Sequence, residues 1–259
     1  MRLDKWQISW RSMIEAPVVP PLQPLRDFAS VSDETIFEAF ATAAISGNTR
    51  WDRIAAIRDQ LADPFLDFSP RNFAALDDHD IDERIVPWFR ERHAGAPRLR
   101  AVLARLRDAA RILGCNDTRT AAAFLEEARM SARQSAEEMA YLLGTAPRFK
   151  LPGFGIALAA EALRLLGCDL CKPDRHVMRA MGSWKLVQYR RWPEGKFAAP
   201  QARPGELLAT MLAVRALATA NDVSVSFANS TIWIAGAVSG ARMTNPDLAS
   251  LFDGKVSAQ

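Results

Sequence analysis

The chain has 259 residues, 49% of them hydrophobic and 24% charged, an ordinary balance for a folded globular protein. That excludes a disordered tail protein and a fibrous repeat, and 13 glycines and 15 prolines beside abundant alanine and leucine favour helix over sheet. The net charge is +3, but it is unevenly spread: Ala146 to Arg203 holds 11 Lys and Arg against 4 Asp and Glu, leaving 22 basic and 26 acidic residues elsewhere. A basic segment on a mildly acidic body suits a polyanion-binding face. The alternative is a solvated basic surface, and charge alone favours it.

The length fits one large domain or two intimate subdomains. Residues up to Pro24 carry Pro17, Pro20, Pro21 and Pro24 and read as extended. Ser32 is placed to cap a helix with Asp33 and Glu34 in its first turn. Ile36, Phe40 and Ala43 follow at helical spacing, and Ser46-Gly47-Asn48 should end it. A second helix is expected from Trp51 through Ile54, Ile57 and Leu61 until Asp63-Pro64. Phe73 to Arg92 reads as short helices broken by Pro87. The clearest amphipathic helix spans Leu99 to Leu113, with Leu99, Leu103, Leu106, Ala110 and Leu113 on one face and arginines opposite. A helical region covers Thr120 to Leu143 and closes at Gly144. Another runs from Ile156 to Leu166 and ends at Gly167. Glu206 to Ala218 is the last clear helix, and Val223–Val238 alternates weakly, as an extended or irregular tail would. The class is all-α.

Three cysteines, Cys115, Cys168 and Cys171, cannot all pair internally and point to a reducing compartment. MRLDKWQISW has no apolar run after its basic residues and does not read as a secretory signal. The long uncharged stretch Val223–Ala241 is interrupted by Ser, Asn and Thr, so no membrane span is expected. Cys168-Asp169-Leu170-Cys171 has zinc-ligand spacing with His176 close by. A second pair is missing, so structural thiols are the better reading and no metal is assigned. Asp77, Asp78, His79 and Asp80 read as a solvated loop. Trp184 and Trp192, among Lys185, Arg190, Arg191 and Lys196, fit a nucleic-acid surface or an edge of the core.

The informative string is Leu151-Pro152-Gly153-Phe154-Gly155, then a helix, then Pro173-Asp174-Arg175-His176-Val177-Met178-Arg179. A tight Pro-Gly-x-Gly turn between two helices presents successive backbone N–H groups at a helix N-terminus. Such a turn binds phosphate through main-chain donors and the helix dipole. Lys150 and Arg148 flank it. Asp174 follows Gly155 by 19 residues, past a helix and a short loop. A carboxylate beside a DNA backbone is unfavourable unless it has a task, such as stabilising a cationic sugar.

This order and spacing resembles the helix-hairpin-helix DNA glycosylase superfamily, the endonuclease III-like group. Its hairpin reads L-P-G-V-G-x-K-T-A and its acid loop V-D-T-H-V-x-R. Ile45-Ser46-Gly47-Asn48-Thr49-Arg50-Trp51 is similar to the family's L-x-Q-N-T-x-W segment, and Arg98 to Leu103 to its K-A-x-x-I helix start. The resemblance spans about Val31 to Arg179. It implies a two-lobed fold: an N-terminal arm at 1–30, a helical barrel at 31–167 with the hairpin at 147–160, and an acid loop with a terminal helical lobe at 168–259. It implies Asp174 as the catalytic carboxylate. Lys150, Pro152, Gly153, Phe154, Gly155, Arg175 and Arg179 would touch DNA, and Asn48, Trp51 and His176 would form the base pocket or wedge. For several of these a plainer role stays open: a core position for Trp51, an N-cap for Asp174, a backbone-bonded buried ring for His176, solvation for Arg175 and Arg179.

The departures are informative. The lyase lysine of bifunctional members falls on Ala157, so the resemblance implies base removal without strand cleavage. The glutamine that fills the vacated stack falls on Gly47, and no cysteine follows Cys171 to hold an iron–sulfur cluster. The expectation is a monomeric, cofactor-free monofunctional glycosylase acting on double-stranded DNA, in the cytoplasm at a bacterial-type nucleoid. It would serve base-excision repair or defence against phage DNA with modified bases. The alternatives are a non-catalytic hairpin DNA-binding protein and a helical protein-interaction module.

Overall fold

The computed structural model describes residues 27–47, 49, 51–114, 119–237 and 243–253. Every regular element among them is helical, and the chain separates into two compact units, Leu25–Leu166 and the part from Gly167 onward. The N-terminal arm, expected to be extended, and Cys115 lie outside the described residues.

The first unit is built around α1 (Asp33–Ser46). Ser32 caps it by accepting from the Thr35 N–H at 3.2 Å. Ile36, Phe37, Phe40 and Ala43 are fully buried, so α1 is a central helix. After it comes α2 (Trp51–Ala56), shorter than expected: the chain leaves α-helix at Ile57 (φ −113°) and continues as a 3-10 turn, Arg58–Gln60. Ile54, Ile57 and Leu61 are nevertheless buried. A tighter turn keeps them on the core with a different backbone.

Next come α3 (Pro70–Ala74) and α4, which is continuous through Asp78–Asp80, a π-helical turn Ile81–Ile85, and Val86–Glu91. Pro87 does not break it. The widened turn before it removes the clash a proline ring makes with the carbonyl four residues back. Asp77 and Asp80 form a capping box at its start, and Asp78 pairs with Arg107 at 2.8 Å and Arg100 at 3.2 Å. Those acids therefore open a helix rather than line a loop.

The amphipathic helix is present as α5 (Leu99–Gly114), with Leu99, Leu103, Leu106, Ala110 and Leu113 buried. The region from Thr120 is two helices, α6 (Ala121–Ser131) and α7 (Ala136–Thr145), separated at Arg133 and Gln134, which adopt φ +51° and +63°. Gly144 does not end α7. It lies inside the helix where α8 (Ile156–Leu165) crosses: a Cβ there would come within 2.5 Å of the Ile156 backbone nitrogen. The glycine serves close helix packing, and α7 and α8 are extensively paired. Gly167, at φ +89°, stops α8 as expected.

The second unit holds α9 (Arg175–Ser183), α10 (Pro204–Ala220), α11 (Val225–Ala237) and α12 (Asn245–Asp253). The tail read as extended is helical. Val225, Ala228, Asn229 and Ile232 are buried at helical spacing. The hydroxyls of Ser230 and Thr231 donate to the carbonyls four residues back, so polar residues sit in this helix without loss. Its N-terminus is capped from a distance: the Asp169 carboxylate accepts from the Val225 and Ser226 N–H groups at 3.1 and 2.7 Å. Among the described residues no helix is long and apolar enough to cross a membrane.

Candidate functional site

In the first unit, the turn between α7 and α8 has the geometry its sequence requires. The Phe154 N–H donates to the Leu151 carbonyl at 3.1 Å, and Gly153, third in the turn, takes φ +81°. That is a type II turn with proline second and glycine third. The N–H groups of Gly153, Gly155, Ile156 and Ala157 make no hydrogen bond among the described residues, and both glycines are exposed. Gly155, at φ −97°, caps α8, and a Cβ built there meets nothing within 4 Å. Nothing inside the protein requires glycine at that position. The open space fits the approach of an external group to the main chain.

Phe154 does not face that space. Its ring is buried edge-on against Phe40 at 5.3 Å, and its N–H closes the turn. Its part is to anchor the hairpin on α1; the expectation of a DNA contact is corrected. Pro152 is half-buried beside the exposed glycines. Lys150 is exposed, but its Nζ donates to the Gly144 carbonyl at 2.8 Å. Arg148 pairs with Glu127, which also holds Arg119. A cation not singled out by sequence stands at the turn instead. The Cβ of Arg105, on the exposed face of α5, lies 2.9 Å from where a Gly153 Cβ would be. Arg105 makes no ion pair among the described residues and is exposed. Its only sequence signal is membership of the polar stripe of α5. Ala157 sits in the first turn of α8. Asn48 lies outside the described residues. Trp51 heads α2, and its side chain is likewise outside the description.

In the second unit, Asp174 is the N-cap of α9. Its Oδ1 accepts from the His176 N–H at 2.8 Å and the Val177 N–H at 3.1 Å. Its Oδ2 accepts no hydrogen bond among the described residues, and the side chain is half-buried. One oxygen fixes the carboxylate and the other is available. The next residue, Arg175, is exposed and donates from Nε to His176 Nε2 at 3.1 Å. An accepting Nε2 makes the imidazole neutral with its proton on Nδ1. That ring is 8% exposed, 6.3 Å from Trp233 and against the backbone of Gly236. Burial pushes its pKa below the usual 6.5, against the opposing pull of the Asp174 charge. His176 is therefore a neutral, packed ring that fixes the acid loop.

Arg179 is not a phosphate contact. It is 1% exposed, and its guanidinium donates to Asn245 Oδ1 at 2.8 Å, the Met243 carbonyl at 2.6 Å and the Gly236 carbonyl at 3.3 Å. It ties α9 to α11 and α12, and the sequence shows no sign of those acceptors 57 to 66 residues away. Trp184 is core, with Nε1 donating to the Leu248 carbonyl. Trp192 lies half-buried over Gly182 and bonds the Ala198 carbonyl. Cys171 is a buried thiol and Cys168 a half-buried one, and they form no disulfide with each other. Arg164 pairs with Glu161 at 3.0 Å. The basic excess of 146–203 is thus partly consumed inside the fold, and its exposed remainder includes Arg175, Lys185, Arg190, Arg191 and Lys196.

Comparison with protein-family models, with curated proteins and with solved structures finds no match to this chain.

Proposed function

We propose that the protein is a monofunctional DNA glycosylase with the two-lobed helical fold of the hairpin glycosylases. It would hydrolyse the N-glycosidic bond of a damaged or modified base and leave an abasic site. The observation that carries the reading is Asp174: a carboxylate with one oxygen locked by two backbone N–H groups and the other unengaged. Unpaired N–H groups and the unobstructed Gly155 at the hairpin support a strand-gripping role.

In this mechanism the hairpin amides hold a backbone phosphate of double-stranded DNA, and Arg105 adds charge beside them. The target nucleotide leaves the stack, because its glycosidic bond is otherwise inaccessible. As the base departs, positive charge develops at C1′ of the sugar. The free Oδ2 of Asp174 stabilises that charge and orients the attacking water. No lysine stands at position 157 to form a Schiff base, so the strand stays intact.

Asp174→Asn tests this cleanly. Asparagine caps a helix as well as aspartate does, so α9 is kept while the charge is lost. Base release from duplexes carrying alkylated, oxidised, mismatched and hypermodified bases, read as alkali-labile sites, should fall by at least about 100-fold. DNA affinity should survive. Wild-type excision by the Asn variant would sink the assignment. DNA binding with no excision from any duplex by the wild type would leave the non-catalytic hairpin protein, for which the N-cap role of Asp174 is sufficient explanation.

A further inference from the structure

A basic recess in the first unit shares no residue with the hairpin turn. It is an open depression of about 480 Å³, lined by Arg53, Arg90, His93 and Gly95. Arg53 comes from α2, and the others from the end of α4 and the turn after it. The Arg53 guanidinium donates to the His93 carbonyl at 3.2 Å, which joins the two segments.

The plain explanation of basic residues at a helix C-terminus is that they neutralise its last carbonyls. Three of the last four carbonyls already have donors other than Arg53 and Arg90. Trp88 O accepts from Arg92 at 3.2 Å, Phe89 O from the Ala94 N–H at 2.9 Å, and Arg90 O from the His93 N–H at 3.0 Å. Nearby acids are engaged elsewhere as well: Glu91 faces Arg92, and Asp63 accepts from Trp88 Nε1. Arg92 itself stacks on Trp88 at 4.1 Å and bonds Gln60. Arg53 and Arg90 have no carboxylate partner among the described residues.

A second observation points the same way. The bonds from Ala94 and His93 form a Schellman motif, and His93 occupies its left-handed position at φ +54°. Glycine is favoured there, and a side chain carries a conformational cost. The imidazole stands at a position where the backbone alone prefers no side chain, and it lines the recess.

We infer that Arg53, Arg90 and His93 form a second phosphate-binding site, separate in its elements from the hairpin. Two guanidinium groups without a carboxylate partner, Arg53 keeping donors beyond the one given to the His93 carbonyl, match the tetrahedral oxygens of phosphate, and the exposed imidazole adds a donor. On the function proposed above, which this site extends, the phosphate is a phosphodiester of bound DNA. The same chemistry would take a free phosphate compound.

The test uses the full chain with two substitutions. Arg90→Gln keeps the Cγ that rests 3.1 Å from a Gly95 Cβ position and removes only the charge. His93→Gly suits the left-handed turn and keeps the fold. Affinity for a fluorescent duplex is measured across salt concentrations, and inorganic phosphate and pyrophosphate are titrated by calorimetry. Each variant should weaken duplex binding about 3- to 10-fold, and Arg90→Gln should lower the salt slope by about 0.9. If the wild type binds duplex and both variants keep its affinity and slope, this site is refuted and the hairpin reading stands. If the wild type binds no DNA but takes pyrophosphate and the variants do not, the site stands and the glycosylase reading falls. Binding of neither probe at the recess refutes the inference.

Discussion

Two glycines 11 positions apart should respond to alanine in opposite ways. At Gly144 a Cβ would lie 2.5 Å from the Ile156 nitrogen, 2.8 Å from its Cα and 2.9 Å from its Cγ1. Two of those atoms are backbone, so no rotamer change relieves the contact; α7 and α8 must move apart. Alanine gains at most about 1 kcal/mol in helix propensity over glycine. Overpacking costs about 1–3 kcal/mol, and backbone contacts this close put Gly144→Ala at the upper end. The net is a loss of about 2 kcal/mol, or roughly 5 °C in melting temperature for a unit of this size. At Gly155 the Cβ meets nothing within 4 Å and φ is −97°. Gly155→Ala should therefore change stability by less than about 1 kcal/mol, the difference between glycine and alanine as caps. It should weaken duplex binding about tenfold by holding a phosphate off the main chain. Thermal unfolding by circular dichroism and fluorescence anisotropy with duplex DNA separate the two effects. A Gly144→Ala protein as stable as the wild type refutes the close crossing. A Gly155→Ala protein with unchanged DNA affinity refutes the approach of a strand to the hairpin.

Three further outcomes are expected. Arg179→Leu leaves Asn245 Oδ1 and two carbonyls without their donor and should cost about 3 kcal/mol or more. A denaturant midpoint equal to the wild type's would contradict the buried network. Arg105→Gln should leave stability unchanged and lower the salt slope of DNA binding by about 0.9, and an unaltered slope would remove Arg105 from the interface. His176 has a depressed pKa in the folded state, so below its ordinary value of 6.5 the unfolded chain takes up the proton first. Its contribution is complete above pH 6.5 and is lost as pH falls towards the folded value. Urea midpoints at neutral and acidic pH should show a smaller acid loss in His176→Phe than in the wild type, and equal losses would mean the ring is not buried neutral.

The helices legible in sequence are those where an apolar period coincides with a local cap or stop. Ser32 with Ile36, Phe40 and Ala43 specifies α1. The leucine stripe from Leu99 specifies α5, and Gly167 specifies the end of α8. The hairpin turn was equally legible, because Pro152 and Gly153 restrict the backbone on their own. These features depend on residues within a turn or two of each other, which a linear reading can see. The remainder depends on partners far along the chain. The first N–H groups of α11 are capped locally by Ser224 but also by Asp169 from 56 residues away, and its polar, unperiodic sequence gives no sign of the second. Arg179 is a buried strut because acceptors from α11 and α12 surround it, although its spacing from Asp174 gives it the appearance of a DNA contact. Gly144 is set by the backbone of Ile156 rather than by any need to end a helix. Local chemistry decides which segments coil and where a turn must bend. Only tertiary packing decides which side of a helix meets solvent, and hence which of its cations remain free to meet a phosphate.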